Sequence, residues 1–83
     1  MQPIQDLLNR IRWDEEFGQG EFLIAYYDRV KDGKLTVPFA ALQFFPGDHF
    51  TVGFVDDEGV THTIPLHRIR AVYKDGKLIW QRP

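Results

Sequence analysis

One histidine and two arginines, His67, Arg68 and Arg70, lie within four consecutive positions near the C-terminal end of the chain. We call this cluster the basic corner. A guanidinium donates hydrogen bonds in a planar fork that matches a phosphate group, and an imidazole adds a donor that is charged or neutral near pH 7. These residue types therefore favour recognition of an oxyanion such as a phosphate, and they do not by themselves indicate catalysis.

Whether the basic corner forms one surface depends on the conformation of the chain at Pro65. In a fully extended strand, His67 and Arg68 would face opposite sides of a sheet. A helical turn opened by Pro65 would instead point Leu66 and Ile69 into the core together and leave the cations outside. Because a proline suits the first position of a helical turn, we expect the turn.

Two residues of an upstream predicted strand extend the anion site. Arg29 supplies another guanidinium at the polar end of that strand, and Tyr27 lies two positions before it on the same face. The Tyr27 ring offers a surface on which a base or sugar could stack. In the competing structural interpretation, the arginines of the basic corner form ion pairs with Asp28, Asp56 or Asp57.

Metal-dependent and acid–base chemistry are less well supported. His49, His62 and His67 are separated by 13 and 5 positions, which matches no helical or hairpin ligand spacing of a zinc site, so we expect no metal and no other cofactor. A metal-independent phosphoesterase would use His62 and His67 as general acid and base across the bend at Pro65. We therefore expect a binding module that is not an enzyme, with this phosphoesterase as a third hypothesis.

The main alternative is a protein–protein interaction module that binds no RNA. Its partner peptide would contact a surface aromatic such as Trp13 or Trp80, or would add to an unpaired edge strand. Salt separates the two functions, because binding of a phosphate weakens as the ionic strength rises, whereas binding in an apolar groove changes little.

Length and composition restrict the function further. The 83 residues form one domain, residues 1–83, and they include neither Cys nor Ser, so disulfides and thiol or serine nucleophiles are excluded. With no signal sequence and no segment of transmembrane length, we expect a soluble cytoplasmic protein. The net charge is −2, so any contact with nucleic acid must be local, at a pocket or an end.

Hydrophobic periodicity predicts the elements that position these residues. Apolar residues at positions 4, 7, 8 and 11 predict a helix over residues 3–12. Alternating patterns and turn residues predict short strands at 21–30, 35–37, 49–55, 60–64, 70–73 and 77–82. We therefore expect an α+β fold with the helix packed on a strongly bent antiparallel sheet or a small, partly closed barrel of about six strands, or alternatively an open meander.

Four runs of the sequence resemble a small, largely archaeal family that is described as the RNA cyclic-group-end recognition domain. The runs are PIQDLLNRIRWD (3–14), YDR (27–29), VPF (37–39) and IPLHRIR (64–70), and the last is followed by Trp80. The resemblance covers nearly the whole chain, and its most distinctive run is the one that contains the basic corner.

The resemblance implies a ligand and a set of contacts. The ligand would be an RNA 3′ end that bears a 2′,3′-cyclic phosphate, in RNA repair or processing. Matched to this chain, Arg29, His67 and Arg68 would contact the anion, with Tyr27 and Arg70 in support. Similar domains are fused to RNA phosphoesterase, ligase-like or nucleotidyltransferase domains. No such domain accompanies these residues, so we expect the domain to act alone or beside a separate RNA ligase, phosphoesterase or nucleotidyltransferase.

Overall fold

The computed structural model describes residues 2–28 and 30–82, which form one α-helix and six β-strands. The elements are α1 (Ile4–Trp13), β1 (Phe22–Asp28), β2 (Gly33–Pro38), β3 (Thr51–Val55), β4 (Thr61–Pro65), β5 (Ile69–Lys74) and β6 (Lys77–Gln81). Two short 3₁₀ turns follow β2 and β4, at Phe39–Ala41 and Leu66–Arg68. We call the second one the corner turn, because it carries part of the basic corner.

The helix forms where the apolar spacing predicts it. Its buried residues recur three and four positions apart, which places them on one face, and they are Ile4, Leu7, Leu8 and Ile11. Asp6 lies in the first turn, and Arg10 and Arg12 lie in the last, so each charge complements the helix dipole. Within residues 2–28 and 30–82, no helix has the length and apolar character needed to cross a bilayer.

The strands form two antiparallel sheets. The larger has the order β2-β1-β5-β6, and β3 and β4 pair separately. Strand β1 is central, so that Ile24 lies opposite Val37 on one side and opposite Val72 on the other. The predicted α+β fold with a helix and six short antiparallel strands is confirmed. The described strands do not close into a barrel, because β2 and β6 remain edges and the β3–β4 hairpin pairs with neither.

The hydrophobic core lies between the larger sheet and a second layer made by α1 and the β3–β4 hairpin. One face of β1 contributes Ile24 and Tyr26 to the core, and the hairpin contributes Val52 and Ile64. The Nε1–H group of Trp80 donates a hydrogen bond of 2.7 Å to the carbonyl oxygen of Gln2, which joins the end of β6 to the start of the helical layer.

Two tight hairpins contain aspartates in the left-handed region. Asp32 has a φ of 49° and Asp75 a φ of 50°, and Gly76 follows with a φ of 82°. An aspartate tolerates this region better than most residues, because its short side chain bonds nearby backbone groups. The predicted turns between β1 and β2 and between β5 and β6 are confirmed, and the first one positions the polar end of β1.

Candidate functional site

The chain turns at Pro65 as the sequence predicts. Pro65 has extended dihedral angles, the corner turn follows, and the N–H group of Ile69 bonds the carbonyl oxygen of Leu66. Ile69 is completely buried, and Leu66 packs against the core. These two apolar side chains anchor the turn from inside, and His67 remains exposed.

The corner turn is also held by hydrogen bonds from two other segments. The N–H group of Leu66 donates to the carbonyl oxygen of Phe50 at 2.8 Å. The guanidinium of Arg82 donates through Nε to the carbonyl oxygen of Ile69 at 2.9 Å and through Nη2 to that of Leu66 at 3.2 Å. Arg82 is thus a positioning residue that the sequence analysis missed, and no local pattern in the sequence marks it.

The arginines of the basic corner form no ion pair in the part of the chain that the structure describes. The salt bridges there join Arg10 to Asp14 and His62 to Asp56, and neither Arg68 nor Arg70 takes part. The competing interpretation, ion pairs with acidic residues at 28, 56 or 57, therefore finds no support among residues 2–28 and 30–82. Arg70 is exposed, and Arg68 is half-buried.

Arg68 and Tyr27 line one groove, of about 190 Å³, between the end of β1, strand β4 and the corner turn. We call it the Arg68 groove. His67 and Arg70 are not among its lining residues. Arg29 lies outside the described residues. The structure therefore brings two of the predicted site residues together and leaves the rest of the basic corner on the surface beside them.

Aromatic side chains that the site prediction did not include form much of the groove wall. The His62 ring stacks on Phe54 at a centroid distance of 4.9 Å and an angle of 17°. Burial raises the pKa of the Tyr26 hydroxyl, and the nearby Asp28 carboxylate raises it further. Tyr26 lines the groove, and its hydroxyl stays protonated as a hydrogen-bond donor. The Tyr27 hydroxyl donates to Asp32 at 2.6 Å, which fixes the orientation of its ring.

Two carboxylates beside the groove are engaged in turns. Asp28 accepts hydrogen bonds from the N–H groups of Val30 and Lys31, at 2.8 and 3.2 Å. Asp56 accepts one from Val60 at 2.9 Å, and its other oxygen lies 2.6 Å from Nε2 of His62. These carboxylates shape the adjacent loops and still place negative charge near the groove, so the positive charge of the groove lies at Arg68.

The Asp56–His62 contact predicts a pH dependence of stability. The hydrogen bond with His62, followed by that from the Val60 N–H group, lowers the pKa of the Asp56 carboxyl. A carboxyl with a lowered folded-state pKa stabilises the fold above its unfolded pKa, and this stabilisation is lost as the pH falls through the folded value. As the pH falls from about 5 to about 2, we expect the free energy of unfolding to decrease less in Asp56→Asn than in the wild type. Denaturant unfolding at each pH measures this.

A neighbouring carboxylate provides the control for this experiment. Asp57 forms no hydrogen bond or salt bridge within the described residues, so Asp57→Asn should keep the pH dependence of the wild type. The same pH dependence in Asp56→Asn and Asp57→Asn would show that the contact with His62 does not stabilise the hairpin.

Comparison with known proteins gives one family match. The model described as the MJ1316 RNA cyclic group end recognition domain matches residues 1–82. The matched range contains the helix, both sheets and all of the predicted site residues. No curated protein and no solved structure matches the chain.

Proposed function

Because the chain belongs to the family of RNA cyclic group end recognition domains, we propose that it binds RNA 3′ ends that carry a 2′,3′-cyclic phosphate or another terminal phosphate. Beyond the family match, one observation carries the proposal. The Arg68 guanidinium lines a groove together with the Tyr27 ring and has no carboxylate partner within residues 2–28 and 30–82. A guanidinium without a carboxylate partner and an aromatic residue in one groove suit a phosphate attached to a sugar.

The size and donors of the Arg68 groove fit this ligand. A volume of about 190 Å³ lies below the range of roughly 300–1,000 Å³ that is typical of sites for whole small molecules. It suits a terminal phosphate and its ribose better than a complete nucleotide. Arg68 donates to the phosphate oxygens, the neutral hydroxyl of Tyr26 provides a further donor, and the Tyr27 ring packs on the sugar.

The charge balance favours a cyclic phosphate over an open one. A cyclic phosphate is a diester with one negative charge, whereas an open terminal phosphate carries about −1.5 to −2 near pH 7. Arg68 provides one positive charge. The Asp28 carboxylate lines the groove, and the Asp56 carboxylate contacts the groove residue His62, so both repel a second negative charge. The groove therefore prefers the singly charged end.

His67 and Arg70 are not among the lining residues of the groove, and they extend the interface. The exposed side chains of His67 and Arg70 are available to phosphates upstream of the end. We assign binding without catalysis. A phosphoesterase would need both His62 and His67 at the phosphate, but only His62 lines the groove. The biological setting that we propose is RNA repair or processing, beside a separate ligase, phosphoesterase or nucleotidyltransferase.

The test compares three oligoribonucleotides that differ in their 3′ ends. By fluorescence anisotropy, we expect the 2′,3′-cyclic phosphate to bind at least about 10-fold more tightly than the hydroxyl end, because hydrogen bonds to charged groups contribute about 1.5–3 kcal/mol each. The 3′-phosphate should bind with intermediate affinity. Affinity for the cyclic end should fall as salt rises, with a slope of about −0.7 per phosphate contacted in a plot of log affinity against log salt.

Three outcomes would contradict parts of this proposal. Equal affinity for the cyclic and hydroxyl ends would refute end recognition. Binding that does not respond to salt would favour the protein interaction module, for which Trp13 is an exposed aromatic and Trp80 is buried. Opening of the cyclic phosphate during the titration, detected by mass spectrometry, would refute binding without catalysis.

A further inference from the structure

A second cleft, of about 350 Å³, lies between α1 and the segment that leads into β3. We call it the Arg12 cleft. Leu66 lines this cleft, whereas Pro65 and Arg68 line the Arg68 groove. The corner turn is thus a wall that the two depressions share. Its three residues span about 6 Å at the 2.0 Å rise of a 3₁₀ helix, so a short ligand can reach both sides.

The Arg12 guanidinium contacts two aromatic rings, that of Phe44 in the lining of the cleft and that of Trp13 outside the lining. The guanidinium carbon of Arg12 lies 4.1 Å from the ring centroid of Phe44 and 4.7 Å from that of Trp13. Arg12 forms no salt bridge within the described residues. Trp13 is 72% exposed, although a large aromatic side chain normally buries most of its surface. An exposed indole beside a guanidinium is a stacking surface for a planar, electron-rich group.

Polar side chains that line the cleft can form hydrogen bonds with the edge of a nucleobase. The side-chain amides of Gln5 and Asn9 line it, and neither forms a hydrogen bond among the described residues. An amide offers both donors and an acceptor, as the edge of a nucleobase does. Asp48 also lines the cleft, and its carboxylate disfavours a phosphate there. A base is therefore a better occupant than a second phosphate.

We infer that the Arg12 cleft binds the base of the nucleotide that precedes the terminal one, an inference that rests on the proposed function. The strand enters over Trp13 and Arg12, crosses the corner turn, and ends with its phosphate at Arg68. The exposed His67 lies in the middle of that turn, where it contacts the phosphate that joins the last two nucleotides. The volume of the cleft falls within the usual range for a small-molecule site.

Ligand length provides the test. The wild type should bind a dinucleotide that ends in a 2′,3′-cyclic phosphate about 5-fold to 150-fold more tightly than the corresponding nucleoside 2′,3′-cyclic phosphate, as expected for one stacked base. Trp13→Ala and Arg12→Ala should lose this gain and still bind the nucleoside cyclic phosphate as the wild type does. Isothermal titration calorimetry measures both affinities, and circular dichroism verifies that each variant is folded.

Arg10→Ala is the matched control, because Arg10 lies in the same helical turn and carries the same charge. Its guanidinium faces Asp14 at 3.8 Å and covers Phe17 at 3.9 Å, and it does not line the cleft. Arg10→Ala should therefore keep the gain from the second nucleotide. Equal losses in Arg10→Ala and Arg12→Ala would show a general charge effect and overturn the inference.

The titrations give different results if only this inference is wrong and if the proposed function is wrong. If the wild type binds both cyclic-phosphate ligands with equal affinity and still prefers them to their hydroxyl-ended counterparts, the Arg12 cleft is not a base site and end recognition stands. If neither cyclic-phosphate ligand is preferred to its hydroxyl-ended counterpart, end recognition fails, and the inference that rests on it fails as well.

Discussion

Arg68→Ala should reduce the affinity for a cyclic-phosphate RNA end by about 10-fold to 150-fold, which corresponds to the 1.5–3 kcal/mol of a hydrogen bond to a charged group. The same variant should bind a hydroxyl-ended oligoribonucleotide almost as the wild type does. The preference for the phosphate end, measured by anisotropy with both ligands, should therefore nearly disappear. The expected effect is large because Arg68 lines the groove and forms no salt bridge within residues 2–28 and 30–82.

Two further variants distinguish a loss of phosphate recognition from an effect of net charge or of misfolding. Arg68→Lys keeps the charge and lacks the planar fork, so it should retain part of the preference. Arg10→Ala removes one positive charge at a site remote from the groove lining and should retain all of it. Losses of the same size in Arg68→Ala and Arg10→Ala, with both variants folded, would remove Arg68 from the site.

Ile69→Ala should lower the free energy of unfolding by about 2–5 kcal/mol, the usual cost of truncating a buried aliphatic side chain. Ile69 has no exposed surface and lies where the corner turn enters β5, opposite Tyr26 of β1. Such a loss is a large part of the roughly 5–15 kcal/mol that stabilises a typical domain. Urea denaturation followed by tryptophan fluorescence measures the change.

The same substitution on the surface provides the control. Ile79 lies in β6 and is 37% exposed, so Ile79→Ala should cost about 1 kcal/mol or less. If the two alanine variants unfold at the same denaturant concentration, Ile69 does not anchor the corner turn in the way that its burial indicates.

Local patterns in the sequence were sufficient to predict the helix and the hairpins. The apolar stripe of α1 and the Asp–Gly turns each depend on residues that are close in the chain. The strand predicted over residues 49–55 begins later, at Thr51, because the Asp48 carboxylate accepts the N–H groups of Phe50 and Thr51 and forms a turn there. The division into two sheets was not predictable. Strands β1 and β5 are far apart in the sequence, so no local sequence pattern indicates that they pair.

The candidate site also combines features that local sequence predicts with features that only tertiary packing determines. The turn at Pro65 was predictable from residues that are close in the chain, namely the proline itself and the apolar pair Leu66 and Ile69, three positions apart. Arg82 was not predicted as a positioning residue, because its bonds to the corner turn depend on how β6 lies beside β5. Tyr26 was likewise not predicted as part of the groove wall, since its position relative to β4 is set by the packing of one sheet on the other.

The pairing of β1 with β5 also leads us to expect a particular order of events during folding. The hairpins β1–β2, β3–β4 and β5–β6 each join strands that are adjacent in the chain, whereas Ile24 and Val72 pair across more than half of the sequence. Closing so long a loop is entropically slow, so we expect this pairing to limit the folding rate. The Arg68 groove lies at that junction, between the end of β1 and the turn into β5. We therefore expect the surface proposed to hold the RNA end to be among the last parts of the molecule to form.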